Sequence, residues 1–403
     1  MFADRTDWNL APNRLSQALD RHRAAGKPLI DLTVSNPTEC GFDYDHQAVL
    51  QALSNPAALA YEPNPRGLAS ARNSVADYYA ERGANVDIEN IFLTTSTSEA
   101  YSYVFRLLCN PGDEILVPAP SYPLFGFLTE IQDVKLVHYP LLYDHGWQID
   151  FHALQQAITT RTRAIIVVHP NNPTGHYTKS RELEQLNKIC NTNDLAIIAD
   201  EVFLDFSLSG ANSNRSEGEF PSSGPRHDTF AVNLGALTFT LSGISKISGL
   251  PQMKAAWLVA SGPASLTAPA LARLELVADT YLSPNAPIQL ALPSFLAHRH
   301  HFQSQLVTRV QGNLAELDSQ LAVHSGVFRL AVEAGWYAVL RVPATRSDED
   351  LALELLQSQN VYVHPGHFYD FPASGHIIVS LISQLNEFAE GLSRILATSF
   401  VSD

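Results

Sequence analysis

The chain has 403 residues, 45% of them hydrophobic and 17% charged, with a formal net charge of −15. These values describe a folded globular protein with room for one large and one smaller domain. The acidic balance and the lack of any basic block argue against nucleic acid and anionic membrane surfaces as partners. In chain order, the N-terminus "MFADRTDWNLAPNRL" is polar and charged, unlike a signal peptide, and no apolar run approaches a membrane span, so a cytoplasmic protein is expected. Cys40, Cys109 and Cys190 form no spaced set, so no metal centre is expected, and Cys109 and Cys190 fall in apolar periodic segments, which points to buried free thiols in a reducing compartment.

From about residue 91, short apolar runs alternate with amphipathic segments. The runs are "EILVP" (114–118), "VKLVHY" (134–139), "RAIIVVHP" (163–170) and "LAIIAD" (195–200). Between them, Ala100, Val104, Leu107 and Leu108 fall at helical spacing, as do Leu183, Leu186 and Cys190. Apolar runs bounded by helices predict buried parallel strands in a mostly parallel α/β sheet. Such a sheet places ligands at the carboxyl ends of its strands, here just after Val168 and at Asp200. The Ser/Gly/Asn-rich segment 207–228 reads as a surface insertion. A long helical region (286–322) then leads to strands at 327–332, 335–342, "VYVHP" and "HIIVSLI", and a final amphipathic helix completes a smaller α/β domain.

Four segments carry chemistry. In "IFLTTSTSEAYSYVF" a strand runs through hydroxyl residues into a helix beginning near Ser98, which gives either an anion site or a plain cap by Thr97 or Ser98. In "HPNNPTGHY", Asn172 either places a rigid amide at a strand end or belongs to a turn. Asp200 ends the next strand, beside Asn172 at the same sheet edge, and a cap is its alternative role. Lys246, in "LSGISKISGLPQMK", is the only ionisable residue between Phe239 and Met253. A desolvated lysine loses its proton readily and becomes a nucleophile, whereas a solvated Ser/Gly turn would leave it charged.

Together with "YEPNPRG" and "NPGDEILVPAPSYPLF", these segments stand in the order and spacing of the class I/II aminotransferases, which the chain resembles over nearly its whole length. The resemblance implies the type I pyridoxal-phosphate fold: a mostly parallel large-domain sheet with helices on both faces, plus a smaller α/β domain. It implies an N-terminal arm that also forms part of the small domain (1–45), a large cofactor-binding domain (46–285) and a small C-terminal domain (286–403). Pyridoxal 5'-phosphate would form an imine with Lys246, which would also shuttle the proton at the substrate carbon. Asp200 would hold the ring nitrogen protonated, Asn172 would bond the phenolic oxygen and Tyr122 would stack on the ring. Ser96, Thr97, Ser98, Ser245 and Lys254 would hold the phosphate, with Tyr61 reaching the neighbour's phosphate in a homodimer. Asn36 and Arg66 would face the substrate, an amino donor or a keto acceptor.

Four residues depart from the family pattern. Lys254 replaces an arginine, which keeps charge but not bidentate geometry. Phe203 replaces a tyrosine that donates to the phenolic oxygen, and Gly243 replaces a phosphate-binding serine for which Ser242 or Ser245 could substitute. Ile378 stands where an arginine binds the substrate carboxylate, so carboxylate recognition is non-standard and Arg66 is the candidate replacement. The expected activity is transamination, with a lyase or decarboxylase on the same fold as the alternative. A non-catalytic regulator with this fold would need an added DNA-binding domain, for which this acidic chain has no room.

Overall fold

The computed structural model describes residues 1–208 and 229–398, and every count below is of those residues. The strands are β1 (Ile30–Asp31), β2 (Ile91–Thr94), β3 (Glu114–Ala119), β4 (Lys135–Tyr143), β5 (Trp147–Ile149), β6 (Thr162–Val168) and β7 (Ala196–Asp200). They continue as β8 (Thr238–Gly243), β9 (Ala256–Ser261), β10 (Phe328–Arg329), β11 (Tyr337–Arg341), β12 (Val361–Tyr362), β13 (His364–Pro365) and β14 (His376–Ser380).

Eight strands form the main sheet in the order β2-β9-β8-β7-β6-β3-β4-β5. Its centre is parallel, while β9 runs antiparallel to both β2 and β8. Alternate residues of β6 and β7 feed two different cores. Ile165, Val167, Ile197 and Ala199 pack with Leu186 of the helix Ser180–Asn193 on one side. Ile166, Val168, Ala196 and Ile198 pack on the other with Val104 of Thr97–Leu108 and Leu274 of Ala264–Tyr281. Helices cover both faces, so neither face of these strands needs polar residues, which is why the strands read as continuous apolar runs.

A four-stranded antiparallel sheet, β10-β11-β14-β13, follows. The N-terminal segment joins this part of the molecule, because β1 pairs in parallel with β12. Two expectations need correction. The helical region 286–322 is two helices, Ala286–Ala297 and Arg299–Leu321, divided at His298, whose backbone (φ −88°, ψ 0°) leaves helical geometry. The strand at 327–332 shrinks to Phe328–Arg329, an edge pairing, and the Ala331 N–H turns instead to the Tyr143 hydroxyl at 3.0 Å. From residue 209 on, the segment 207–228 lies outside the described residues. No helix among the described residues is long and apolar enough to cross a membrane.

Candidate active site

Asp200 is the last residue of β7, and Asn172 lies in the loop that follows the neighbouring β6, with Val168 of β6 in register with Asp200. Lys246 follows β8, the strand on the other side of β7, on the short helix Ile244–Ile247. Three adjacent parallel strands therefore deliver the three polar groups to one carboxyl edge, as open α/β sheets do.

Lys246 is half-buried against aromatic rings, its Nζ 4.8 Å from the centroid of Trp336 and 5.7 Å from that of Phe203. Burial pulls its ammonium down to about 8, against the opposing pull of the Asp200 charge. Lowering the value this far leaves a usable fraction of neutral amine near neutral pH. Asp200 is only 7% exposed, and burial pushes its carboxyl up to about 6. The Val202 N–H donates to its Oδ1 at 3.1 Å, and the Tyr101 hydroxyl donates to its Oδ2 at 2.9 Å. Both bonds favour the ionised form and oppose the burial.

The other candidates fall around these three. Asn172 is buried and its Oδ1 has no hydrogen-bond partner, a costly arrangement for a polar atom unless a ligand satisfies the amide. Ser96 is the N-cap of Thr97–Leu108, its Oγ accepting from the Glu99 N–H at 3.1 Å. The expectation of a cap at Thr97 or Ser98 is corrected by one or two residues. The amides of Thr97 and Ser98 consequently lie in the first turn, where helix geometry leaves them without intrahelical acceptors. Tyr122 is 42% exposed and lies close enough to Asp200 for that charge to act on its phenol. Ser245 is half-buried, and Lys254 is exposed at a left-handed turn (φ 53°) just before β9. Tyr61 projects into solvent at 80% exposure.

Two of the sequence departures have a local cause. A Cβ at Gly243 would meet the Ala256 Cβ at 2.8 Å and the Ala255 carbonyl oxygen at 3.0 Å, across the β8–β9 pairing. Gly243→Ser is therefore expected to lower stability by about 1–3 kcal/mol through overpacking, without tightening phosphate binding. Thermal unfolding and cofactor titration of that variant check both halves. Ser242 does not substitute for the absent serine, because it is buried and its Oγ donates to the Glu201 carbonyl at 3.3 Å. Ser245 is left as the nearby hydroxyl. Phe203 is buried edge-on against Trp336, with ring centroids 4.9 Å apart.

Two substrate candidates have other partners. The Arg66 Nε and Nη2 bind Glu275 at 3.2 and 2.7 Å, Nη1 binds the Glu89 carboxylate at 3.0 Å, and the guanidinium lies 5.3 Å from the Phe92 ring centroid. An arginine held on two sides by carboxylates anchors its own loop, which weighs against Arg66 as the replacement for the missing carboxylate ligand. Asn36 caps the turn Pro37–Glu39, accepting from the Thr38 N–H at 3.2 Å and donating to Glu39 at 3.0 Å. Residues that the sequence reading passed over are Tyr101, Trp336, Tyr337 and Tyr369. Tyr101 sits next to Ala100 in an apolar helix pattern and Trp336 in "GWYAVL", so both looked like core and nothing local distinguished them.

The family model for aminotransferase class I and II matches residues 27–392. The chain belongs to the class I and II aminotransferases. It is 27% identical over 381 residues to the glutamate-pyruvate aminotransferase AlaA of Escherichia coli K12, covering 92% of this chain and 90% of that one. It is 28% identical over 388 residues to the alanine aminotransferase of Mycobacterium tuberculosis H37Rv, covering 93% and 86%. In fold it is similar to an alanine aminotransferase from Pyrococcus furiosus, with a TM-score of 0.84 at 21% identity over 98% of each chain. These relatives make this aminotransferase a pyridoxal-phosphate-dependent transaminase of type I fold. The first-turn amides at Thr97 and Ser98 and the weakly basic Lys246 near Asp200 fit that cofactor.

Proposed function

We propose that this transaminase prefers an amine with no free carboxylate on its amino-bearing carbon. Pyridoxal phosphate, when bound, supplies an aldehyde and an electron-accepting ring. In this reading Lys246 would hold the cofactor through its neutral amine and would carry the proton at the amino-bearing carbon. Asp200 would accept from the ring N–H, and the Asn172 amide N–H would donate to the phenolic oxygen. Ser96, Thr97, Ser98 and Ser245 hold the phosphate, with Lys254 contributing charge and Tyr61 reaching across a homodimer. Tyr122 covers the ring face. The arm (1–45), cofactor domain (46–285) and C-terminal domain (286–403) belong to the same proposal, as does a cytoplasmic location.

The observation that carries the substrate preference is the surroundings of Ile378. This residue is 1% exposed on β14, with Val339 of β11 and His364 of β13 as its cross-strand neighbours. Successive pairs along β11 and β14 add Tyr337 and Ser380 to the same face. Tyr337 lies 6.5 Å from Tyr369, ring to ring, and the Tyr369 hydroxyl is 3.1 Å from His364 Nδ1. Burial lowers the basicity of His364, so this wall is neutral at pH 7. Arg341 shares the strand face but is four residues beyond Tyr337, roughly 13 Å further from the Lys246 end. A carboxylate placed against this wall would lose its hydration without gaining a cation, at a cost of several kcal/mol.

A matched pair tests the reading: an α-amino acid and the amine obtained by removing its carboxyl group. Loss of the visible cofactor band, with pyridoxamine phosphate formed, is expected to be at least tenfold more efficient for the amine, taken as rate over apparent affinity. Arg66→Ala is expected to change both members equally, since its guanidinium is committed to Glu89 and Glu275. A clear preference for the amino acid would refute the proposed wall. A selective loss in Arg66→Ala would return that arginine to the substrate.

A further inference from the structure

The Asp200 carboxylate has one side-chain hydrogen-bond donor, and it comes from a helix on the far side of the sheet edge. The Tyr101 hydroxyl reaches Oδ2 at 2.9 Å while the Val202 amide takes Oδ1 at 3.1 Å. Tyr101 is 2% exposed, and its ring is fixed edge-on to Phe125 (5.4 Å) and tilted against Phe105 (5.8 Å). A phenol packed in this way is held with its hydroxyl against the Asp200 carboxylate. Its own ionisation is pushed well up, first by burial and then by the Asp200 charge, so it stays a donor across the working pH range.

We propose that Tyr101 is the positioning residue of this site: its hydroxyl orients the Asp200 carboxylate toward the cofactor ring nitrogen and keeps it ionised. The proposal rests on the reading of Asp200 as the partner of the ring. The other groups facing Asp200 cannot do this job. Lys246, on the helix after β8, contributes charge at a distance and is consumed by the covalent chemistry. Tyr122, after β3, feels the Asp200 charge but is 42% exposed and makes no hydrogen bond to the carboxylate. Glu201, next in the chain, turns its carboxylate away to the Thr229 hydroxyl at 2.7 Å and the Phe230 N–H at 2.6 Å, and its charge repels that of Asp200. Among the described side chains, Tyr101 is the one that both touches the carboxylate and favours its anion, while the Val202 N–H does so from the backbone and is unchanged by side-chain substitution.

Sign and size follow from the hydrogen bond. Burial raises the Asp200 carboxyl and the Tyr101 bond lowers it, so deleting the hydroxyl lets it rise further. A bond to a charged group of this kind is expected to move the midpoint by about one unit, equivalent to about tenfold in affinity. The test is equilibrium dialysis of full-length protein with pyridoxal phosphate across pH 5–9, following the visible band. Tyr101→Phe keeps the ring packing and, with the Asp200 midpoint moved from about 6 to about one unit higher, is expected to weaken binding about twofold at pH 7 and towards tenfold below pH 6. It should also move the acid limb of the binding curve upward by about one pH unit. Tyr139→Phe removes another buried hydroxyl, which donates to the Ile166 carbonyl at 2.7 Å, and should leave that limb in place.

Asp200→Asn separates the two ideas. If it leaves the acid limb untouched, the role of Asp200 is wrong. If it removes the limb while Tyr101→Phe behaves as wild type, Asp200 stands and the role of Tyr101 falls. In the Asp200→Asn background, Tyr101→Phe should add less than twofold, because no anion is left to orient. An equal loss in both backgrounds would show that the hydroxyl acts elsewhere. Should Tyr101→Phe alone fail to fold, the double variant is expected to recover folding, since the charge that lost its partner is gone. A double variant that also fails would make the hydroxyl a packing group and overturn the proposal.

Discussion

Lys246→Met is expected to abolish turnover and to leave no lysine covalently trapped by borohydride after incubation with pyridoxal phosphate. The methionine stem keeps the contacts with Phe203 and Trp336 and removes only the amine. The same substitution should make the cofactor-free protein more stable. Folding lowers this lysine from its ordinary value to about 8, a cost of at most about 3 kcal/mol. Because its folded value is depressed, the folded state binds fewer protons than the unfolded one between about pH 8 and the ordinary lysine range. The penalty is therefore complete below about pH 8 and fades as pH rises through that window. Thermal midpoints of cofactor-free wild type and Lys246→Met at pH 7 and pH 10 should differ more at pH 7. Mass spectrometry that finds the trapped cofactor on another lysine would remove Lys246 from the centre of the site.

Asp200→Ala carries the second large effect. On the proposed role of Asp200, the ring nitrogen would lose the partner that holds it protonated, and the ring would draw electrons from the substrate carbon far less well. Turnover should fall by a factor on the order of a thousand or more, roughly 4 kcal/mol of transition-state stabilisation. The fold should survive, since the change removes a buried anion along with its bonds to Tyr101 and Val202. In the wild type, burial raises this carboxyl to about 6, so the folded state holds more protons than the unfolded one between the ordinary aspartate value and about pH 6. Stability of the cofactor-free protein should therefore rise as pH falls through 6, while cofactor binding weakens over the same range. Near-normal turnover in Asp200→Ala would end its role as ring partner.

Much of this molecule was legible in its linear order. Central strands buried on both faces must be continuously apolar, so "AIIVV" and "AIIAD" announced β6 and β7 and their shared edge. Lys246 stood out because a lysine among small uncharged residues is costly without a reason. The ordered motifs carried the family.

Partner choice was decided only in three dimensions. Arg66 looked free beside Tyr61, yet Glu275, 209 positions away, binds it together with Glu89. Tyr101 looked like core until the fold set its hydroxyl against Asp200, 99 positions away. Gly243 looked like a lost ligand until the β8–β9 pairing brought Ala256 against the place of its absent side chain. The physical reason is common to all three. Periodicity and turn chemistry act between residues a few positions apart and leave their mark in local order. Which carboxylate meets which arginine, or which hydroxyl meets which aspartate, depends on distances that exist only after the sheet has assembled.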